Sequence, residues 1–189
     1  MFKQQRSAVA MAHEFVSVNL PEDGTAVDAT AGNGNDTVFL SRHLPKGKVF
    51  SFDVQEQALN NTAKLLEQQG QSSNGIELIH DGHQNMDRYI SDPVDVVMFN
   101  LGYLPGSDHS IITKPDNTKT ALQKAIQFLN IGGKISIVVY TGHQGGMEEL
   151  FAVEEVLKVL DSRRYWIVEL RHVNRPTTAP VSFYIERNG

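Results

Sequence analysis

Residues 26–40 read Ala-Val-Asp28-Ala-Thr30-Ala-Gly32-Asn33-Gly34-Asn35-Asp36-Thr-Val-Phe-Leu, a short apolar run that meets a glycine turn and then a helical pattern. Gly32 and Gly34 have access to backbone angles closed to other residues and let the main chain come close to a ligand. A helix opening at Asn35 turns its first amides toward whatever sits above the turn. This is the layout of a nucleotide-cofactor loop. It is also that of an ordinary strand-to-helix turn, and Thr37 stands where the dinucleotide fingerprint has its third glycine. The neighbouring chain has to decide between them.

That chain alternates strand and helix. Residues 49–53 and 76–80 read as strands, and Ala58, Leu59, Ala63, Leu65 and Leu66 give the helix between them an apolar face. The helix after the glycine turn stops near Leu44, before Pro45-Lys-Gly47, and residues 70–75 form a polar loop. Residues 94–99 and 135–140 are nearly continuous apolar runs, the mark of strands buried on both faces, with a helix carrying Ala121, Leu122, Ala125, Ile126 and Leu129 between them. A helix over 147–160 precedes strands at 165–173 and 181–185; the Pro-containing loop joining those two is too short for a crossover helix, so they should pair antiparallel. Before all of this, Val9, Ala12, Phe15 and Val16 mark an amphipathic helix within 3–18, expected to cover the sheet edge or the pocket. The fold class is α/β: a doubly wound, Rossmann-like, mostly parallel sheet with an antiparallel C-terminal strand and an N-terminal helix. The longest irregular stretch, 102–117, falls where such a sheet carries its ligands.

With 189 residues and 40% hydrophobic content, the chain is expected to form one domain over 1–189. No apolar stretch reaches bilayer-spanning length, so a cytoplasmic protein without a membrane partner is expected. The absence of cysteine excludes disulfides, thiolate zinc sites and cysteine nucleophiles. A net charge of -5 argues against nonspecific binding to long nucleic acid and leaves room for a local basic patch.

Asp53 ends the second strand twenty-one residues after Gly32, the place from which an acid accepts hydrogen bonds from ribose hydroxyls. NAD and S-adenosylmethionine would both use it. Asp28, just before the turn, favours S-adenosylmethionine: a carboxylate there suits a ligand's positive amino group and opposes a pyrophosphate. Asp81, in His80-Asp81-Gly82-His83 after the third strand, is the candidate for the adenine amino group. His80 and His83 straddle a glycine turn without an evident third ligand, so no metal is expected. The other histidines, His13, His43, His109, His143 and His172, are scattered and read as surface or satisfied core residues, although His143, in Tyr140-Thr-Gly-His-Gln-Gly-Gly146, follows the fifth strand on the substrate side. Arg171 and Arg175, with Lys114 and Lys119, are candidates for a phosphate-binding rim.

The segment 129–138, with Gly132-Gly133, resembles the helix end, double-glycine turn and fifth strand of class I methyltransferases. Asn100-Leu-Gly-Tyr103-Leu-Pro-Gly106 resembles the Asn-Pro-Pro-Tyr motif of amino-group methyltransferases, with Leu101 and Gly102 in place of the prolines. Taken with residues 28–36, 140–146 and 174–180, the chain is similar throughout to the MnmM (YtqB-like) family, also called rRNA methylases. The resemblance implies an S-adenosylmethionine-dependent tRNA methyltransferase, acting on the anticodon stem-loop, that converts the 5-aminomethyl group of wobble (2-thio)uridine to 5-methylaminomethyl, and it implies a homodimer. It implies Asn100 as the orienter of the amine and Tyr103 as the platform for the base. It puts Asp28, Thr30, Gly32, Asn33, Gly34, Asn35, Asp36, Asp53, Gln55, Asp81, His83 and Asn100 on the cofactor, and Tyr103, Lys114, His143, Arg171 and Arg175 on the RNA. Three other readings fit parts of the sequence: a methyltransferase for rRNA, protein or a small amine, an NAD-dependent oxidoreductase, and a noncatalytic cofactor-binding subunit.

Overall fold

The computed structural model describes residues 7–71, 75–102 and 113–189. Along them run α1 (Ala8–Ser17), β1 (Thr25–Asp28), α2 (Asn35–His43), β2 (Lys48–Asp53), α3 (Glu56–Gln68), β3 (Ile76–His80), a short 3-10 helix (His83–Arg88), β4 (Val94–Leu101), α4 (Pro115–Phe128), β5 (Leu129–Val139), α5 (Gly146–Lys158), β6 (Tyr165–Leu170) and β7 (Val181–Arg187). The strands make one seven-stranded sheet in the order β3-β2-β1-β4-β5-β7-β6. β1 to β5 are parallel, and β7 is antiparallel to both β5 and β6.

Period-two alternation places each central strand in two cores at once. Val27, Val97, Phe99, Leu101, Ile135, Ile137, Phe183 and Ile185 face α4, α5 and the 3-10 helix. Ala26, Val96, Met98, Val138 and Tyr184 face α1 and α2. A strand with helices on both sides has no solvent-facing register, which is why β4 and β5 read as unbroken apolar runs.

Of the two expected places, sheet edge or pocket, α1 takes the second in part: it lies across the sheet face, against β5 and β7, and Val9 lines the cavity described below. Ala8, Ala12 and Val16 recur at four-residue steps and are buried there. Ser7 caps the helix by accepting a bond from Ala10 N at 3.0 Å. At the other end Lys134 donates to the carbonyl of Val18, and its ammonium lies 5.7 Å from the centre of the Phe15 ring.

The double-glycine turn also takes another form. α4 ends at Phe128 and β5 starts at once; Leu129 pairs with Val94, Lys134 pairs with Val96, and residues 130–133 loop out between those two pairs. Gly132, at φ 78, turns the chain there. β6 stops at Leu170, short of the expected 173, and the 3-10 helix was not foreseen.

Gly34 has φ +84, and a Cβ built on it would meet Thr62 Cα at 2.8 Å; Gly70 has φ +67 with nothing within 4 Å. Gly70→Ala therefore costs only the left-handed strain, about 1–2 kcal/mol, whereas Gly34→Ala adds a backbone clash between α2 and α3. Urea denaturation of the two variants should show Gly34→Ala as clearly the less stable.

Candidate active site

A cavity of about 650 Å³ opens at the carboxyl ends of β1, β2, β4 and β5, within the size range of small-molecule sites. It lies where the crossovers from β1 and β4 leave in opposite directions, so the strand ends diverge and leave a crevice.

The glycine loop forms one wall. Gly32 at φ 54 and Gly34 at φ 84 curl the chain, and Gly34 N donates to Ala31 O at 2.8 Å. Asp53 faces this wall: Oδ2 accepts from Gly32 N and Oδ1 from Gln55 N, both at 2.9 Å. Burial pushes the Asp53 carboxyl above the usual range, and the two backbone donors work against that shift. Thr30, Gly32, Asn33, Asn35, Asp36, Gln55 and His83, all candidates for the cofactor, line the cavity. Gly34 does not; it shapes the turn from behind.

Asp28 is placed differently. It is fully buried beneath the loop and outside the cavity lining. Its Oδ1 accepts from Thr30 N at 3.1 Å and its Oδ2 from Thr37 Oγ1 at 2.7 Å, and Thr37 lies 2.9 Å from Ser51 Oγ. The alternation of β1 explains the difference: a residue at the strand end whose side chain turns into the layer between sheet and α2 is part of the floor. Burial, reinforced by the nearby Asp36 charge, pushes the Asp28 carboxyl up to about 7.

Asp36, like Asp53, faces the cavity. Asn100 Nδ2 donates to its Oδ2 at 2.5 Å, and His13 Nε2 lies 2.6 Å from its Oδ1. Asn100 is also held through its backbone, its N–H donating to Thr30 Oγ1 at 2.8 Å. With its nitrogen donating to Asp36, the Asn100 side-chain amide presents its oxygen elsewhere. Tyr140, at the end of β5, and Gly102 complete this side.

His83 is buried, with Nδ1 3.0 Å from Ala29 O and its ring edge-on to Phe99. A carbonyl accepts only, so Nδ1 carries the hydrogen; burial lowers the pKa of the ring and keeps it neutral. Asp81 stands outside the cavity lining, where Gly82, His83 and Gln84 are found instead. Its carboxylate is taken up by the turn it starts, accepting from Gly82 N at 2.7 Å, Asn85 Nδ2 at 2.8 Å and Tyr89 Oη at 3.1 Å. Asn85 is the main reason its pKa is lowered.

Tyr103 lies outside the described residues. Lys114 reaches the cavity. His143 is not in the lining; it sits beside Gly102, with Nδ1 2.8 Å from Gln144 O. The expected basic rim is only partly available. Arg171 pairs with Glu169 and, at 3.0 Å, with Glu154, and Lys119 pairs with Glu155 at 3.0 Å, whereas Arg175 is exposed. His13 and Glu149 support the site from outside the lining, and nothing in the sequence assigned either of them that role. His13 belongs to a helix whose pattern speaks only of packing. Glu149, fully buried on α5, accepts from Thr113 Oγ1 at 2.6 Å and Thr118 Oγ1 at 2.5 Å and so pins the start of α4 beside Lys114. Burial raises its pKa.

A carboxyl with its folded-state pKa above its unfolded value holds its proton longer in the native state, so stability falls as pH rises between the two values. For Asp28 that window runs from the ordinary carboxylate range to about 7. Asp28→Asn keeps an acceptor for Thr30 and offers a donor to Thr37 without that titration. Denaturant melts at a series of pH values should show wild type losing stability relative to Asp28→Asn across this window and no further change above it.

Residues 49–186 match the protein-family model described as "Putative rRNA methylase". A curated relative from Arabidopsis thaliana, named tRNA (mnm(5)s(2)U34)-methyltransferase, chloroplastic, is 35% identical over 193 residues, covering 97% of this chain and 70% of the relative. Among solved structures, a protein from Clostridium thermocellum described as a putative rRNA-methylase superposes with a TM-score of 0.93 at 42% identity, covering 98% of this chain and 100% of that one. A Streptococcus mutans protein described as a putative methyltransferase in complex with SAH superposes with a TM-score of 0.88 at 41% identity, covering 99% of each chain. The family match spans most of the sequence and the relatives share the whole sheet: this chain belongs to the rRNA methylase family of class I methyltransferase folds.

Proposed function

We propose that this protein is an S-adenosylmethionine-dependent tRNA methyltransferase that methylates the amino nitrogen of a 5-aminomethyl group on wobble (2-thio)uridine, giving 5-methylaminomethyl-(2-thio)uridine. The observation that carries the reading is Asn100, with its amide nitrogen tied to Asp36 and its oxygen left to accept, beside a loop and acid suited to a nucleoside. The name of the plant relative supports the substrate, and SAH in the streptococcal relative supports the cofactor.

When bound, S-adenosylmethionine supplies a methyl group on a positive sulfonium centre, open to in-line displacement. The chain's own residues do the rest. Asp53 accepts from the ribose hydroxyls, while Gly32 lets the main chain lie close to the nucleoside. Gly82, His83 and Gln84 wall the far end, and the neutral His83 adds no charge there. Asn100 Oδ1 accepts an N–H from the substrate amine and holds its lone pair toward the methyl carbon. An ammonium has no lone pair, and the sulfonium charge disfavours that form. The new N–C bond forms as the methyl–sulfur bond breaks, and the secondary ammonium product releases its proton to water. Tyr103 is proposed as the platform for the uracil ring, which must leave the anticodon stack to reach the cavity. Lys114 and Arg175 are proposed to hold phosphates of the stem-loop. A cytoplasmic homodimer of one domain per chain completes the reading; among the described residues no helix is long and apolar enough to cross a membrane.

The deciding assay offers purified protein labelled S-adenosylmethionine and tRNA from cells lacking its gene, followed by digestion to nucleosides and mass spectrometry. One added methyl on wobble 5-aminomethyluridine is expected; transfer to rRNA and not to tRNA would favour the family description over this reading. Asn100→Ala should lower kcat by roughly a hundredfold while SAH affinity measured by calorimetry stays close to wild type. Lys114→Glu and Arg175→Glu should instead raise KM for tRNA, each reducing the salt dependence of tRNA binding by about one unit of slope.

A further inference from the structure

His13 gives α1 a link to the cavity that packing does not require. The helix is already seated by Ala8, Ala12 and Val16 and tied at its end by Lys134 to Val18. His13 leaves that apolar stripe and turns to α2, where its ring lies flat on Phe39, centroids 3.8 Å apart at 5°. In that orientation Nε2 lies 2.6 Å from Asp36 Oδ1, and Asp36, with 5% of its side chain exposed, holds Asn100 Nδ2 with its other oxygen at 2.5 Å. Three elements distant in sequence, α1, α2 and β4, thus meet in one chain of two hydrogen bonds.

The chemistry of the three groups gives that chain a direction. A carboxylate accepts through both oxygens, so each neighbour must donate, His13 through Nε2–H and Asn100 through Nδ2–H. The terminal torsion of an aspartate is soft, and one anchored oxygen leaves the other free to sweep. With both oxygens anchored, the plane of the carboxylate is set, and with it the plane of the Asn100 amide. We propose that His13 is a positioning residue for methyl transfer: the His13–Asp36–Asn100 chain fixes the Asn100 side-chain amide so that its oxygen is held ready for the substrate amine. This rests on the amine-orienting role of Asn100 in the function proposed above.

Two substitutions in the full chain separate the hydrogen bond from packing. His13→Phe keeps a flat ring on Phe39 and removes the donor. His13→Gln gives up the ring and keeps an N–H at a similar reach. Three quantities are read: kcat and KM for tRNA at saturating S-adenosylmethionine, SAH affinity by calorimetry, and the side-chain amide resonances of Asn100 in a nitrogen-15 NMR spectrum, assigned by their loss in Asn100→Ala. His13→Phe should lower kcat roughly tenfold or more with KM and SAH affinity changed no more than about twofold, and should shift the Asn100 amide resonances. His13→Gln should stay near wild type in both. Wild-type kcat and an unmoved amide in His13→Phe would overturn the proposal, and so would equal losses in both variants accompanied by a lowered melting temperature, which mark a packing role. If wild type leaves tRNA unmethylated, the function proposed above fails by itself, and the amide still decides the positioning chain: moved in His13→Phe and kept in His13→Gln supports it, unmoved overturns it.

Discussion

One carboxylate that never meets solvent holds the site together. Asp28 takes the Thr30 amide and the Thr37 hydroxyl, Thr37 meets Ser51, and the Thr30 hydroxyl takes the Asn100 amide proton. β1, α2, β2 and β4 are thereby registered against each other through a single buried group. An isolated charge in such a place costs several kcal/mol, and the surrounding donors and a raised pKa are the two ways the fold limits that cost. The arrangement rigidifies the loop over which a ligand must lie.

Above this floor the cavity has two kinds of wall. The side proposed for the nucleoside is made from backbone and short side chains at the ends of β1 and β2, whose geometry follows from the parallel ladder. The side proposed for methyl transfer depends on long-range side-chain contacts: Asn100 on β4, Asp36 on α2, His13 on α1 and, at the start of α4, the hold of Glu149 on Thr113 and Thr118. In the function proposed above, the backbone-built walls would serve any nucleoside cofactor of this shape, and the side-chain constellation would select for an amine.

Much of this was legible before any coordinates. The switch from apolar run to glycine turn to helix marked the loop, the separation of Gly32 and Asp53 marked the acid opposite it, and doubly buried strands announced helices on both faces. Departures came where a side chain had a choice of neighbours. Asp28 and Asp81 sit where ligand-binding acids are expected, yet one points into the floor and the other into the turn it begins. Arg171 reads as a phosphate ligand until Glu154 and Glu169 are seen beside it.

The sequence by itself determined the strand–helix alternation, the parallel sheet with its antiparallel close and the position of the cavity, because these follow from local periodicity and from the steric freedom of glycine. Only the tertiary structure decided that Asp36 faces the cavity while Asp28 turns into the floor, that Arg171 is already paired, and that a histidine on the leading helix holds Asp36. Each of those depends on direction and distance between residues far apart in the chain, His13 and Asn100 among them, and no spacing along a sequence encodes such a meeting.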